Sequence, residues 1–417
     1  MIDLSDLPNP QRRALELVKE VSAEKECRPY LVGGPVRDLL LGRQAIDIDL
    51  TLEEGSSTLA RALAKRVEGR VRSFPQFLTY KVTAAELPEI DIATARKERY
   101  RKPGALPSVA AGRLKDDLLR RDFSINAIAL DLVNGAMHDP AHGERDLASR
   151  VVRVLHEQSF ADDQTRIFRA IRLAGRLGFA IEPQTAALMR EAIAADALNT
   201  VSKERVWREL FLAMDEEDAP KILAALNDQG ALTALFGPPR ANVLPALEQL
   251  RAQIEADSSL DRYVLYTSAF IGPDTEPAQL EGSGFSQKRA RNALHLAKDM
   301  PRLEQAIADA HSERQRFRLF RTVSPEMLSI LAAKRPAAGK HVERFHEYEN
   351  FKLALRGNDL EMPGGPHIAK ALERTREAVF TGEIPPEQAR TFAREMAIKY
   401  LRSDAPPGRG SEVGSKP

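Results

Sequence analysis

The sequence predicts an α+β head, a small mixed sheet with helices, followed by an all-α neck, body and tail. Three observations lead there. The stretch from Tyr30 to Thr51 reads as a buried strand, a Gly33-Gly34 turn, a short helix and a second strand that ends in Asp47 and Asp49. Short β-type runs recur at Arg70–Ser73, Phe77–Thr83 and Glu89–Ala95. From Ser159 onward, period-two alternation disappears and helical periodicity runs almost to the end.

The elements follow in order. Asn9 to Lys25 has helical spacing, with Leu15, Val18 and Val21 on one side. Ser56 reads as the N-cap of an Ala/Leu-rich helix over Ser57–Val67. The segment TARKERYRKPGALPSVAAG, broken by Pro103, Gly104, Pro107 and Gly112, reads as a long, basic, mobile loop. LKDDLLRRDFSINAIALDL begins as a helix and ends as a strand, and Val151–Leu155 is a short strand. Ser159–Leu177, Pro183–Ala195 and Ser202–Met214 are predicted helices, with Gly178 at C′ of the first and Ser202 as N-cap of the third. Breaks are expected near Gly237–Arg240, Gly272–Glu276 and Pro336–Gly339. The expected domains are a head over 1–157, a helical neck over 158–236, a helical body and tail over 237–404, and a disordered tail over 405–417.

Composition narrows the class. Of 417 residues, 43% are hydrophobic and 29% charged, as in ordinary globular proteins. No run of about 18 uncharged apolar residues predicts a membrane span, and the N-terminus lacks a signal-peptide pattern. A single cysteine, Cys27, forbids an internal disulfide and suits a cytoplasmic setting. Net charge is +1, so an RNA-binding surface requires local segregation of charge. Two stretches show it: Arg96 to Arg121, rich in Arg and Lys, and Arg166 to Arg176, with four Arg and no acid.

Three constellations carry chemistry. Asp47 and Asp49 share one strand face, where two acids repel unless a cation joins them; an isolated pair of this kind also fits a solvated edge strand. Gly33 and Gly34 let the backbone approach a phosphate. The helix near Pro35 presents free N–H groups there, and Arg37 can fork onto the same anion. Together these suit nucleotidyl transfer with two Mg²⁺ ions. In the second constellation, Arg121, Asp122 and Asn126, Asp122 either caps the following turn or joins a cluster that reads ribose hydroxyls, with Arg121 on phosphate. The third runs Asp162-Asp163-Gln164-Thr165-Arg166, with Arg169 and Arg172 beyond. It is either an acidic helix start with solvated arginines or a base reader. In the second case a carboxylate accepts from the exocyclic amine of C or A and an arginine donates to the adjacent ring acceptor, rejecting U and G.

In this order LVGGPVRDLLLG…DIDLT, RRDFSINAIAL, DPAHGERDL, DDQTRIFRAIRLAGRLGF and SKERVWREL resemble the class II tRNA nucleotidyltransferases, the CCA-adding enzymes and their poly(A) polymerase relatives, over roughly Tyr30 to Met214. The resemblance implies that Asp47 and Asp49 are catalytic and bind magnesium. It implies that Gly33, Gly34 and Arg37 hold the triphosphate and that Arg121, Asp122 and Asn126 sense ribose. Asp163 and Arg166 would read the base, with Arg169 and Arg172 as further nucleotide contacts. Glu204 and Arg205 would support the neck, and the basic loop after Thr94 would be the element linked to the change from C to A addition. Many members begin the base-reading motif Glu-Asp where this chain has Asp162-Asp163. Asp91, on a neighbouring strand, is a candidate third acid. The implied substrates are CTP, ATP and the 3′ end and acceptor stem of tRNA, with no membrane or protein partner. Complete CCA addition is the favoured product. A-only addition, a poly(A) polymerase and a catalytically inactive RNA-binding protein are the alternatives. No His-Asp metal motif in the C-terminal half suggests an appended phosphohydrolase.

Overall fold

The run Tyr30-Leu31-Val32 is wholly buried and forms β1 (Tyr30–Val32), near the middle of the sheet of a computed structural model. The structure describes residues 4, 7–43, 47–100, 104, 107–237, 243–272, 274–280 and 284–403. Its remaining strands are β2 (Ile48–Leu52), β3 (Arg70–Phe74), β4 (Thr79–Ala84), β5 (Leu87–Thr94), β6 (Arg96–Arg99), β7 (Ser108–Ala111), β8 (Ala129–Asp131), β9 (Met137–His138), β10 (Val151–Val152) and β11 (Ala180–Ile181). Seven of them make one sheet in the order β3-β4-β5-β2-β1-β8-β9. It is mixed: β1 runs antiparallel to β2 and β8, while β2 runs parallel to β5.

Helices α1 (Asn9–Glu24) and α3 (Ser56–Arg66) pack on each other and against β4 and β5. They bury Ala14, Leu15, Val18 and Val21 from α1 and Leu59, Ala60, Leu63 and Ala64 from α3, spacings that keep one face inward. Between them in the chain lies α2 (Gly34–Leu40). Helix α4 (Leu114–Leu119) lays Leu114 and Leu118 against Tyr30, Val32, Ala127 and Ala129, fixing the segment from α4 to β8 beside β1. Then come α5 (Gly143–Ala148), α6 (Ser159–Asp162), α7 (Thr165–Leu177), α8 (Pro183–Ala194), α9 (Lys203–Met214), α10 (Ala219–Asp228) and α11 (Ala231–Phe236). An α+β head followed by helices is thus the architecture.

Five local expectations are corrected. Asp47 and Asp49 stand at the start of β2, because the strand begins at Ile48 and runs on through Leu52. The basic segment after Thr94 is a β-hairpin, with Arg96 paired to Ala111 and Arg99 to Ser108. Its alternation is hidden in charged residues: Arg96 and Glu98 face inward and pair at 3.1 Å, while Lys97 and Arg99 face out. The single helix over Ser159–Leu177 is two, because the chain at Asp163 is extended. Ser56 is the first residue of its helix, and its hydroxyl donates to Ala93 O instead of capping. A short strand, β11, follows Gly178 and pairs in parallel with β10. Gly178 itself is left-handed at φ 69°, as a helix-ending glycine should be.

The chain forms two compact units, residues 1–247 with 262–294, and residues 248–261 with 295–417. The second holds an aromatic core of Phe317, Phe345, Tyr348 and Phe380. In it the expected break at Pro336–Gly339 falls one residue earlier. Arg335 is extended, as a residue before proline prefers, and Pro336 opens the next helix. The predicted disordered tail over 405–417 lies outside the described residues.

Candidate active site

After β1 the chain turns through Gly33 at φ +76°. The positive φ is what requires glycine; a Cβ there would lie 2.6 Å from Arg121 Nη1 and would push that side-chain tip aside. Gly34 opens α2 and lines a cavity of about 630 Å³ together with Arg37, Asp47, Asp49, Asp122 and Asn126. Arg37 is buried. Its Nε and Nη2 donate to Asp38 Oδ1 and Oδ2 at 2.8 and 2.9 Å, and its Nη1 donates to Asn126 Oδ1 at 2.6 Å.

Asp47 is exposed just ahead of β2, and Asp49 stands on β2 opposite Asp91 of β5. Burial pushes the Asp49 carboxyl up to about 6; the Arg121 charge opposes this, and Asp91 and Asp47 add to it. Asp91 is raised too, chiefly by burial, against the pull of Lys81. Its Oδ1 is buried with no hydrogen bond, 3.6 Å from Lys81 Nζ. Among the described residues, no group of three or more His, Cys, Asp or Glu forms a ready-made metal cage. Magnesium needs none, since it binds through one or two carboxylates plus waters and substrate phosphates. Asp47 and Asp49 supply that number of oxygen donors, and their crowding with Asp91 is what a cation relieves.

Asp122 is buried and fully engaged. Its Oδ1 accepts from Asn126 Nδ2 at 3.0 Å and from the Phe123 N–H at 2.9 Å. Its Oδ2 accepts from Arg169 Nε and Nη2 at 3.0 and 2.6 Å. Burial alone would raise this carboxyl; the Arg169 charge and the bonds from Asn126 and Arg169 outweigh it and hold the group well below the ordinary range. Arg121 lines the second cavity with Asp122 but makes no hydrogen bond to Asp122 or Asn126. Its Nη2 donates to buried Asp117 at 3.0 Å, and Asp117 also holds Arg120.

Asp163 sits in the extended link between α6 and α7, not on a helix. Its Oδ1 accepts from the Thr165 N–H and hydroxyl at 3.0 and 2.6 Å, which starts α7, and its Oδ2 accepts from Arg205 Nη2 at 2.9 Å. Arg205 therefore reaches the candidate site, while Glu204 is exposed on α9. Buried Arg166 donates to Ser159 Oγ at 2.7 Å and to Arg120 O at 3.0 Å. Asp163 and Arg166 line a second cavity of about 360 Å³ with Phe77, Tyr100 and Arg120. Asp122 and Arg169 line both cavities. Arg172 is clasped by Glu209 and Glu216 at 3.2 and 3.0 Å; Glu209 also meets Arg169 at 3.4 Å.

Sequence reasoning missed Asp38, Asp117 and Glu209. Glu209 left a signal, an acid on the otherwise apolar face of α9 among Val206, Trp207 and Leu210.

Residues 29–153 match the family described as poly A polymerase head domain, and residues 178–244 match a probable RNA- and SrmB-binding site of polymerase A. An A-adding tRNA nucleotidyltransferase of Geobacter sulfurreducens is 31% identical over 432 residues, covering 96% of this chain and 48% of its own. The chain belongs to the tRNA nucleotidyltransferase and poly(A) polymerase family. A multifunctional CCA protein of Xanthomonas campestris pv. campestris is 41% identical over 217 residues, 50% of each chain. The chain spans about half the length of the curated relatives it matches. Among solved structures, the Thermotoga maritima CCA-adding enzyme complexed with tRNA superposes with a TM-score of 0.75 at 25% identity, over 94% of this chain and 95% of that one. Family membership thus agrees with the mixed-sheet head and helical remainder. Among the described residues, no helix is long and apolar enough to cross a membrane.

Proposed function

We propose that the protein adds C and A nucleotides from CTP and ATP to the 3′ end of tRNA without a nucleic-acid template, releasing pyrophosphate. The observation that carries this is the shared wall of the two cavities. Asp122 and Arg169 face both the space holding Gly34, Arg37, Asp47 and Asp49 and the space holding Asp163 and Arg166. A nucleotide laid through both has its phosphates beside the paired acids, its ribose at Asn126, whose amide Asp122 orients, and its base edge at Asp163 and Arg166.

In that reading the 3′-hydroxyl oxygen bonds to the α-phosphorus, the bond to the bridging oxygen breaks, and pyrophosphate leaves. Asp47 and Asp49 would hold magnesium. When bound, the metal supplies charge neutralisation and makes the hydroxyl a better nucleophile. Gly33 and Gly34 keep the turn free of side chains, and Arg37, pre-aligned by Asp38, donates to phosphate. Asn126 keeps a second N–H for a ribose hydroxyl. Asp163 Oδ2, with one lone pair taken by Arg205, keeps another for the amine of C or A. Arg121, close enough to lower the Asp49 pKa, balances the acids. Arg169 and Arg172 add positive charge along α7, and the second helical unit would hold the RNA.

Asp47→Ala and Asp49→Ala are each expected to abolish incorporation while tRNA binding survives; near-normal turnover in either overturns the assignment. A second reading, addition of the terminal A alone, is favoured by the Geobacter sulfurreducens relative. Incubation with tRNA lacking CCA and with tRNA ending in CC, each with CTP and ATP, separates the two. Extension of the second substrate alone replaces complete CCA addition with A addition.

A further inference from the structure

The run Arg166–Arg176 carries four arginines, of which the proposed chemistry uses three. Arg166, Arg169 and Arg172 are held on Ser159, on Asp122 and Glu209, and on Glu209 and Glu216. Arg176 differs. It lies about one turn beyond Arg172 and lines the larger cavity with Arg37, Asp38, Asp47 and Asp49. Its side chain is 40% exposed, and its Nη2 donates to Asp38 Oδ2 at 3.2 Å. A guanidinium has five N–H donors, so most of this fork's capacity faces the cavity or solvent.

Asp38 is the hub. One carboxylate serves two guanidiniums: Arg37 on both oxygens, and Arg176 on Oδ2. One negative charge between two positive ones leaves a net positive patch on the wall of a cavity that also holds Asp47 and Asp49, and Asp122 paired with Arg169. A polyanion accompanied by a divalent cation matches both halves of that wall.

We propose that Arg176 contacts the terminal phosphates of the incoming nucleotide, hence the pyrophosphate leaving group, and that Asp38 is the positioning residue that sets Arg37 and Arg176 side by side as paired forks. The proposal rests on the nucleotidyl-transfer reading. There the α-phosphate lies at Asp47 and Asp49, where the hydroxyl attacks, so the phosphates beyond it are the ones left for this pair. A backbone phosphate of the RNA has the same chemistry, and the test separates the two sources.

The full chain is compared with Arg176→Ala, Arg176→Gln, Arg176→Lys and Asp38→Asn. The readouts are inhibition by inorganic pyrophosphate, binding of magnesium tripolyphosphate by calorimetry, and KM for ATP and for tRNA. Removing a charge-assisted donor is expected to weaken pyrophosphate and tripolyphosphate roughly ten- to a hundredfold and to raise KM for ATP in parallel. KM for tRNA stays unchanged, and Arg176→Lys recovers part of the loss. Asp38→Asn gives the same pattern through misalignment, with both guanidiniums still present. Unchanged pyrophosphate affinity with a raised KM for tRNA assigns Arg176 to the RNA backbone and overturns the proposal, as do unchanged values throughout. Failure of the underlying reading is distinct, since the unmodified protein would then neither incorporate nucleotide nor bind tripolyphosphate. Arg176→Gln keeps the test decisive if the alanine variant folds poorly.

Discussion

At the scale of single residues the site is built from charges that are already paired. Arg37 rests on Asp38, Arg169 on Asp122, Arg121 on Asp117, and Arg205 on Asp163. Removing one member of a buried pair leaves the other uncompensated, which costs more than the pair contributes. Asp122→Ala takes a doubly held partner from Arg169 and an acceptor from Asn126. Because the Arg169 side chain is 39% exposed and water can reach it, the expected loss of unfolding stability is about 1–3 kcal/mol, measured by urea denaturation; no loss at all contradicts the pairing. Gly33→Ala meets two penalties together, a left-handed φ and a Cβ 2.6 Å from Arg121 Nη1. A destabilisation of about 1–2 kcal/mol from the backbone alone is expected, and displacement of Arg121 should weaken ATP binding in the same variant. A normal melting temperature with normal ATP affinity would rule this out. That Asp47 and Asp49 would stand near each other was legible from their spacing, and both line one cavity although Asp47 lies just ahead of β2. The carboxylates that hold the arginines were less so: Glu209 gains meaning only from Arg169 and Arg172 on a different helix, and Asp38 beyond its neighbour Arg37 only from the distant Arg176.

At the scale of elements, the errors in reading the sequence share a cause. Where side chains outvote local propensity, pattern misleads. The hairpin of β6 and β7 hides because its inward residues are Arg96 and Glu98, which bury as an ion pair instead of as apolar groups. Helix periodicity runs unbroken across Asp163, yet that carboxylate captures the Thr165 N–H and restarts the helix. By contrast α1, α3 and α9 were readable, since their buried faces follow an apolar repeat, interrupted in α9 by Glu209. The cavity-lining face of α7 depends on close approach to α10. A Cβ on Gly175 would lie 2.4 Å from Ile222 Cγ1. Gly175→Ala is therefore expected to cost about 1–3 kcal/mol through overpacking. Adding Ile222→Ala should recover part of that cost, so the double variant is more stable than the sum of the single changes predicts. Strict additivity in denaturation experiments would show that the two helices do not meet there.

At the scale of the whole molecule, a net charge of +1 goes with close pairing of opposite charges around the candidate site. Cations and anions meet in one connected network. It runs from Arg176 through Asp38, Arg37, Asn126, Asp122 and Arg169 to Glu209, Arg172 and Glu216. This network ties the head segment around α2 and Asp122 to α7 and α9. Its acid dependence follows from the direction of the shifts. Asp122 is buried, which alone would raise its pKa, but Arg169 and Asn126 hold it below the unfolded value. Asp117 is likewise buried, and Arg121 and Arg120 hold it low. Groups depressed in the folded state contribute stability above their unfolded pKa, about 3.9 for aspartate, and lose it as pH falls through the folded value. Unfolding free energy is therefore expected to fall steeply below about pH 4. Asp122→Asn cannot ionise, so it should be less stable at neutral pH and should lose less on acidification. The two curves of unfolding free energy against pH then converge toward the acid end. Parallel curves from urea denaturation between pH ~7 and pH ~2 would show that Asp122 does not titrate with folding. The network would then owe its stability to packing instead of charge.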